Sequence, residues 1–365
     1  MATSHPIKIF ATGLTGYIGG DALYALNQTH PEYEITALVR NTDKGAKIAQ
    51  QYPKVKLVYG DLDSEDVLEA EAGKADVVCH FAHADHEPSI QAIVRGLSAK
   101  ASKNKPRFLI HTSGTGILLF EDLRARTFGE AFREKVYDDL EGVKEVTSLP
   151  DDAIHRNVDK IVLEAGTQHA DRIKTAIVCP PTIYGIGRGP DNQRSMQLPQ
   201  LCASTIELGY APRVNAGKTY WGNVHVQDLS DLYVKLIEQA AAGGATADWS
   251  GKPPIWGAEG YYFCENGEHV WGEVSQWVAD EAKKQGLIET DEVRSLSTEE
   301  VAKISPYGPG LWGANSRARA KRARKILGWE AKGRSLRDEV KGTLEFEARK
   351  LGKTKGHAAV AAGET

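Results

Sequence analysis

Short β-branched runs alternate with longer stretches of helical spacing through the first half of the chain. Ile7–Thr12, Ile35–Val39, Val55–Tyr59, Ala75–Phe81, Arg107–Thr112 and Thr175–Val178 read as strands. Tyr17–Asn27, Pro88–Ser102 and Asp159–Gln168 carry apolar residues at the spacing of one helix face. Alternation of this kind predicts an α/β fold: a doubly wound parallel sheet with helices on both faces, joined by right-handed crossovers.

From about Gly185 the pattern loosens. Gly, Pro, Asn and Arg cluster through 185–194, and Trp, Tyr and Gly dominate Trp249–Trp271. That aromatic stretch suits either a pocket lining or packing between lobes. One later helix, Asp228–Ala242, still fits the first layer, with Asp228 as its expected N-cap. The expected division is therefore a first, parallel-sheet domain over 1–185 that also receives about 223–242. A smaller α-rich lobe would take 186–222 and 243–352, and the Gly/Ala/Lys-rich 353–365 reads as a disordered tail.

Composition narrows the classes. The 365 residues carry 45 Lys+Arg against 49 Asp+Glu, and this near-neutral balance argues against nucleic acid as the main partner. No apolar run approaches the ~20 residues of a membrane helix. A strand-like stretch begins almost at once after Met1, leaving no room for a signal peptide, so a cytoplasmic protein is expected. Cys79, Cys179, Cys202 and Cys264 are far apart in apolar settings and read as buried free thiols. His80, His83 and His86 have the spacing HxxHxxH, yet the first lies in a predicted strand and the others beyond its end, so no metal site is expected. The basic run Arg317–Lys325 reads as a helix with a solvated face.

The first strand ends in Thr12-Gly13-Leu14-Thr15-Gly16-Tyr17-Ile18-Gly19, with glycines at i, i+3 and i+6. The first glycine permits a tight turn, the second lets a pyrophosphate approach the backbone, and the third lets the helix pack closely on the strand. The helix N-terminus then offers N–H groups and a positive dipole end to the phosphates. Lying between a strand and a helix, the motif predicts a Rossmann-type dinucleotide site at Gly13, Thr15, Gly16, Tyr17, Ile18 and Gly19.

With these motifs the chain resembles the short-chain dehydrogenase/reductase superfamily, in its extended, epimerase- and dihydroflavonol-reductase-like branch. Gly60-Asp61-Leu62 resembles that family's adenine clasp, and His80-Phe81-Ala82-His83 its segment beside the adenosine ribose. Pro180-Pro181-Thr182-Ile183-Tyr184-Gly185 looks like the turn that touches the nicotinamide. Val224–Leu229 and Leu327-Gly328-Trp329 match later signatures. The resemblance thus implies cofactor contacts at Asp61, Leu62, Phe81, Ala82, His83, Pro180 and Ile183. The second strand ends Leu38-Val39-Arg40-Asn41, with no carboxylate at its tip, so Arg40 points to NADP(H) rather than NAD.

The family works with Ser, Tyr and Lys, the last two spaced YxxxK. Ser113 matches the serine, and Lys160, followed by Glu164, matches a lysine that would act in catalysis and hold the nicotinamide ribose. Four residues before Lys160, however, stands Arg156, which cannot give up a proton near neutral pH. Two neighbours offer replacements. His155 carries an imidazole, a side chain suited to proton transfer. Tyr137 follows Ser113 by 24 residues, a separation like the family's, but residue 141 is Glu.

The leading expectation is an NADP(H)-dependent carbonyl reductase or alcohol dehydrogenase acting on a small organic substrate, with a homodimer left open. The alternatives are a non-redox epimerase, dehydratase or lyase that keeps NADP bound, and a silent NADP-binding sensor resembling NmrA-type regulators.

Overall fold

The computed structural model describes residues 6–131, 134–244 and 253–353. The expected tail lies outside these residues apart from Lys353, as does Trp249.

Seven strands form one parallel sheet: β1 (Lys8–Thr12), β2 (Glu34–Val39), β3 (Lys56–Tyr59), β4 (Val77–His80), β5 (Arg107–Thr112), β6 (Ile173–Cys179) and β7 (Tyr261–Phe263). Their spatial order is β7–β6–β5–β4–β1–β2–β3. The central strands β4 and β5 are buried along their whole length, including the polar residues at their ends, His80, Arg107, His111 and Thr112. After β3 the chain returns to lay β4 on the other side of β1. The crossovers on either side of that switch diverge, and a crevice opens outside the carboxyl ends of the strands.

Each expected strand and helix of this domain is present, with its limits moved by a few residues. The fourth strand spans Val77–His80 rather than Ala75–Phe81, and the helix expected at Asp159–Gln168 begins earlier, at Arg156. Two amphipathic helices not singled out in the sequence, Thr42–Gln51 and Glu65–Lys74, complete the crossovers.

Asp228 is not the N-cap of its helix. The helix spans Val226–Ala241, and the His225 side chain caps it by accepting from Gln227 N. The Asp228 carboxylate instead accepts from the backbone N–H groups of Lys332 and Gly333, tying the later chain to the first domain.

A second apolar core lies in the lobe, around Leu198, Trp221, Trp271, Val274, Trp312 and Leu344. Helices Gln197–Leu208, Trp271–Lys284 and Leu336–Lys350 surround it. The lobe is less purely helical than expected. Thr182–Tyr184, Tyr220–His225 and Glu268–Val270 form a small sheet, and Ala211–Val214 pairs with Val293–Leu296. Four of these five strands have only three or four residues, too few alternations to announce themselves in sequence.

The aromatic stretch resolves as packing: Trp256 stacks edge-on against Phe108, and Trp271 sits in the lobe core. The basic run Arg317–Lys325 is helical only from Lys321, and there Lys321, Arg324 and Lys325 form the expected solvated face. Arg317 and Arg319 pair with Glu268, Arg324 pairs with Glu265, and Arg322 is fully buried.

Candidate active site

The crevice is a long groove made of two cavities of about 660 and 460 Å³ that share Gly16, Phe81 and Asn192. Gly13, Thr15, Arg40, Asp61, Leu62, Ala82 and His83 line the larger part. Tyr17, Ile18, Pro181 and Ile183 line the smaller.

The glycine turn fits a dinucleotide phosphate. Gly13 has φ +77°, and a Cβ there would stand 2.8 Å from the Phe81 carbonyl carbon, so only glycine allows the turn to touch the end of β4. A Cβ on Gly19 would meet the Gly13 carbonyl oxygen at 2.5 Å, so close packing of helix on turn also requires glycine. Helix Tyr17–Thr29 starts here with no side-chain cap and no acidic residue in its first turn. Its N–H groups and dipole are left for an anion.

The segment after Gly185 straps the groove. Tyr17 OH donates to Gly185 O at 2.6 Å, Asn192 N donates to Thr15 O at 3.2 Å, and Arg188 pairs bidentately with the buried Asp21. Asp191, on the same strap, binds Lys44 and Lys47. Arg40 is exposed on the rim beside them.

The loop after β5 runs beside the end of β6. Ser113 N donates to Val178 O at 2.8 Å and Thr115 N to Pro180 O at 2.9 Å, so Pro180 acts through its carbonyl and Pro181 faces the groove. His155 looks onto this loop. A Cβ on Gly114 or Gly116 would lie 3.2 or 3.3 Å from its Nε2, so the two glycines clear the space in front of the ring. Its other nitrogen, Nδ1, meets Asp85 Oδ1 at 2.7 Å, and Asp85 comes from the loop after β4. That bond holds the Asp85 carboxyl below the usual carboxylate range. His155 itself has φ 68° and ψ −10°, a left-handed backbone that few non-glycine residues adopt.

Lys160 does not join this group. Its ammonium pairs with Asp151 at 2.9 Å on the outer side of the helix, with half of the side chain exposed. The residue of that helix that faces Ser113 is Asp159: Ser113 Oγ donates to its Oδ2 at 3.0 Å. The inward pair is thus His155 and Asp159, four residues apart and on one face, one position earlier than the Arg156–Lys160 spacing suggested. Arg156 turns into the interior, where its Nε donates to Leu149 O at 2.9 Å.

Tyr137 is also elsewhere. It is buried in a separate small cleft with Leu118, Asp122 and Asn315, and that cleft shares no lining residue with the groove. The three histidines of HxxHxxH take separate partners. His80 bonds His111 in the interior, His83 accepts from Asp85 N, and His86 reaches Asp63.

Sequence reasoning did not find Asp85, Asp159 or Asn192 as site residues. The signal for Asp159 was available as the i, i+4 partner of His155. Asp85 and Asn192 carry no local pattern, because only the sheet and the strap bring them to the groove.

Residues 13–144 match the family model described as NAD(P)H-binding. The oxidase ucsJ of an Acremonium species is 43% identical over 345 residues, covering 94% of this chain and 99% of that protein. An uncharacterised protein of Saccharomyces cerevisiae, YLL056C, is 27% identical over 247 residues, covering 65% of this chain and 72% of its own. Among solved structures, the dTDP-glucose 4,6-dehydratase of Bacillus anthracis in complex with NAD superposes with a TM-score of 0.64 at 14% identity, covering 95% of this chain and 98% of that one. With the glycine turn, the sheet order and these likenesses in hand, the chain belongs to the NAD(P)-binding, extended short-chain dehydrogenase/reductase family.

Proposed function

We propose that the protein is an NADP(H)-dependent oxidoreductase, of carbonyl reductase or alcohol dehydrogenase type, acting on a small uncharged organic molecule. The observation that carries the reading is the Asp85–His155 pair, whose carboxylate comes from the loop after β4 that lines the groove through Phe81, Ala82 and His83. The Asp85 carboxylate fixes Nδ1 of the ring as its bonded nitrogen, leaving Nε2 to face the space beside Ser113. In that position Nε2 can give a proton to a substrate oxygen or take one from it, while Ser113 holds the same oxygen. A bound nicotinamide supplies or accepts the hydride. Backbone strain at His155 supports a functional role, because a left-handed histidine persists only where surrounding structure holds it.

Three further observations support the finer points. Arg40 stands exposed at the tip of β2 with no ion pair among the described residues, whereas Lys44 is neutralised by Asp191, so Arg40 is the cation left for a 2′-phosphate. Arg188 and Arg194 are committed to Asp21 and Glu347, which disfavours a nucleotide diphosphate as substrate and favours an uncharged one. The four cysteines are buried and free, which suits a reducing compartment such as the cytoplasm. The name of the 43%-identical relative, an oxidase, agrees with redox chemistry.

The test follows reduced-nicotinamide absorbance across a panel of carbonyls and alcohols, with the parent protein and His155→Gln. Turnover that falls in the variant at unchanged NADP(H) affinity is expected. Tight NADP(H) binding with no turnover on any panel member would refute the redox reading in favour of a sensor or a net non-redox enzyme.

A further inference from the structure

Behind Ser113 runs a row of buried polar side chains that proton transfer by His155 leaves without a task. Asp159 Oδ2 accepts from Ser113 Oγ and from Tyr261 OH, each at 3.0 Å. Among the described residues, its second oxygen, Oδ1, has no hydrogen-bond partner, and His111 Nε2, 3.7 Å away, has none either. His111 Nδ1 lies 3.2 Å from His80 Nδ1, and His80 Nε2 lies 3.4 Å from Ser89 Oγ. Asp159, His111, His80 and Ser89 are all fully buried.

A neutral imidazole has one donor and one acceptor, so the row can be ordered in two ways. With a proton on Asp159 Oδ1, that group donates to His111 Nε2, His111 Nδ1 donates to His80 Nδ1, and His80 Nε2 donates to Ser89. Ser89 then donates to the His86 carbonyl, 2.8 Å away. With Asp159 ionised every direction reverses: His111 Nε2 donates to Oδ1, His80 to His111, and Ser89 to His80. Either order satisfies both orphan atoms once the 3.7 Å gap closes to hydrogen-bond length.

The two orders present Ser113 differently. An ionised Asp159 holds the Ser113 proton in a charge-assisted bond, so the outward face of Oγ offers only lone pairs. A neutral Asp159 keeps Tyr261 OH on Oδ2 and lets the Ser113 hydroxyl turn its proton outward.

We propose that Asp159 is the positioning residue that sets whether Ser113 receives a carbonyl or an alcohol. Neutral Asp159 makes Ser113 a donor to a carbonyl oxygen, and ionised Asp159 makes it an acceptor for an alcohol hydroxyl. The inference rests on the oxidoreductase reading for its substrates, not for the switch itself. Burial pushes the Asp159 carboxyl up to about 6, opposed by Ser113, His155, Tyr261 and Arg156. The groups around it are His111 from β5, Ser113 from the loop after it, Cys179 from β6, Tyr261 from β7, and His155 and Arg156 from the start of its own helix. Burial holds His80 and His111 down, leaving both neutral through this range.

Nitrogen-15 NMR of the whole chain without added ligand reads the His111 tautomer directly. The expected result is Nδ1–H below about pH 6 and Nε2–H above it. Asp159→Asn, whose amide donates to His111 Nε2 permanently, should hold Nδ1–H at all pH values. A tautomer that does not change across this range in the parent protein, or one that still changes in Asp159→Asn, overturns the proposal whatever the substrate screen returns. With an alcohol and carbonyl pair from that screen, the ratio of the two KM values should shift about tenfold per pH unit above pH 6 in the parent protein and in His155→Gln. The ratio should be flat in Asp159→Asn. The same pH limb surviving in Asp159→Asn overturns the proposal while leaving the oxidoreductase reading intact.

Discussion

Replacing Asp159 by asparagine should stabilise this protein while impairing it. The carboxyl is fully buried, and burial raises it from the ordinary 3.8 to about 6. The folded value lies above the unfolded one, so the folded chain holds the proton more tightly. The contribution of this group is therefore full below about pH 4 and is lost as pH rises through 6. A gap of about two pH units at 1.36 kcal/mol each comes to about 3 kcal/mol of strain at neutral pH. Asparagine has the same shape and no charge. Its oxygen accepts from Ser113 and Tyr261, and its NH2 can donate to the unpartnered His111 Nε2. Urea unfolding of the parent and Asp159→Asn across the pH range should show the variant more stable by about 3 kcal/mol near pH 8, with the difference closing toward pH 4. Two results would refute the reasoning: a variant less stable near pH 8, or a difference that does not depend on pH. The same variant should lose activity on alcohols, the trade expected where a functional site stores an unfavourable charge.

Arg40→Glu should erase a preference for NADPH over NADH, because one charge-assisted contact to the 2′-phosphate contributes roughly 1.5–3 kcal/mol, or one to two decades in Kd. Titration of both cofactors decides it, and equal binding by the parent protein would sink the NADP(H) assignment. Gly16→Val should abolish dinucleotide binding in a chain that still folds, since the side chain would enter the groove where the two cavities meet; circular dichroism and cofactor titration together check this. Lys160→Ala should cost at most about 1 kcal/mol, as for an exposed ion pair with Asp151, and should leave cofactor affinity intact. A large loss of NADP(H) binding in that variant would restore the helix register that sequence spacing suggested.

Local pattern determined the sheet domain. Strand-length apolar runs, the spacing of Gly13, Gly16 and Gly19, and the alternation with helices are properties of neighbouring residues, and they specified the doubly wound sheet and its dinucleotide groove. Ser113 and His155 were also legible as residues of suitable chemistry near strand and helix ends. The face of the helix was not. Lys160 and Asp159 are adjacent in sequence, and a rotation of about 100° separates buried from exposed; packing of Arg156–Gln168 against β6 and the loop after β5 chose Asp159. His225 displaced Asp228 as a cap for a related reason, since the carboxylate was needed by Lys332 and Gly333, about a hundred residues downstream. Asp85 meets His155 across 70 positions, and His111 meets His80 across 31, because parallel strands bring their carboxyl ends to one edge. Partnerships of that range carry no local signal, and in this chain they decide which carboxylates and imidazoles face one another.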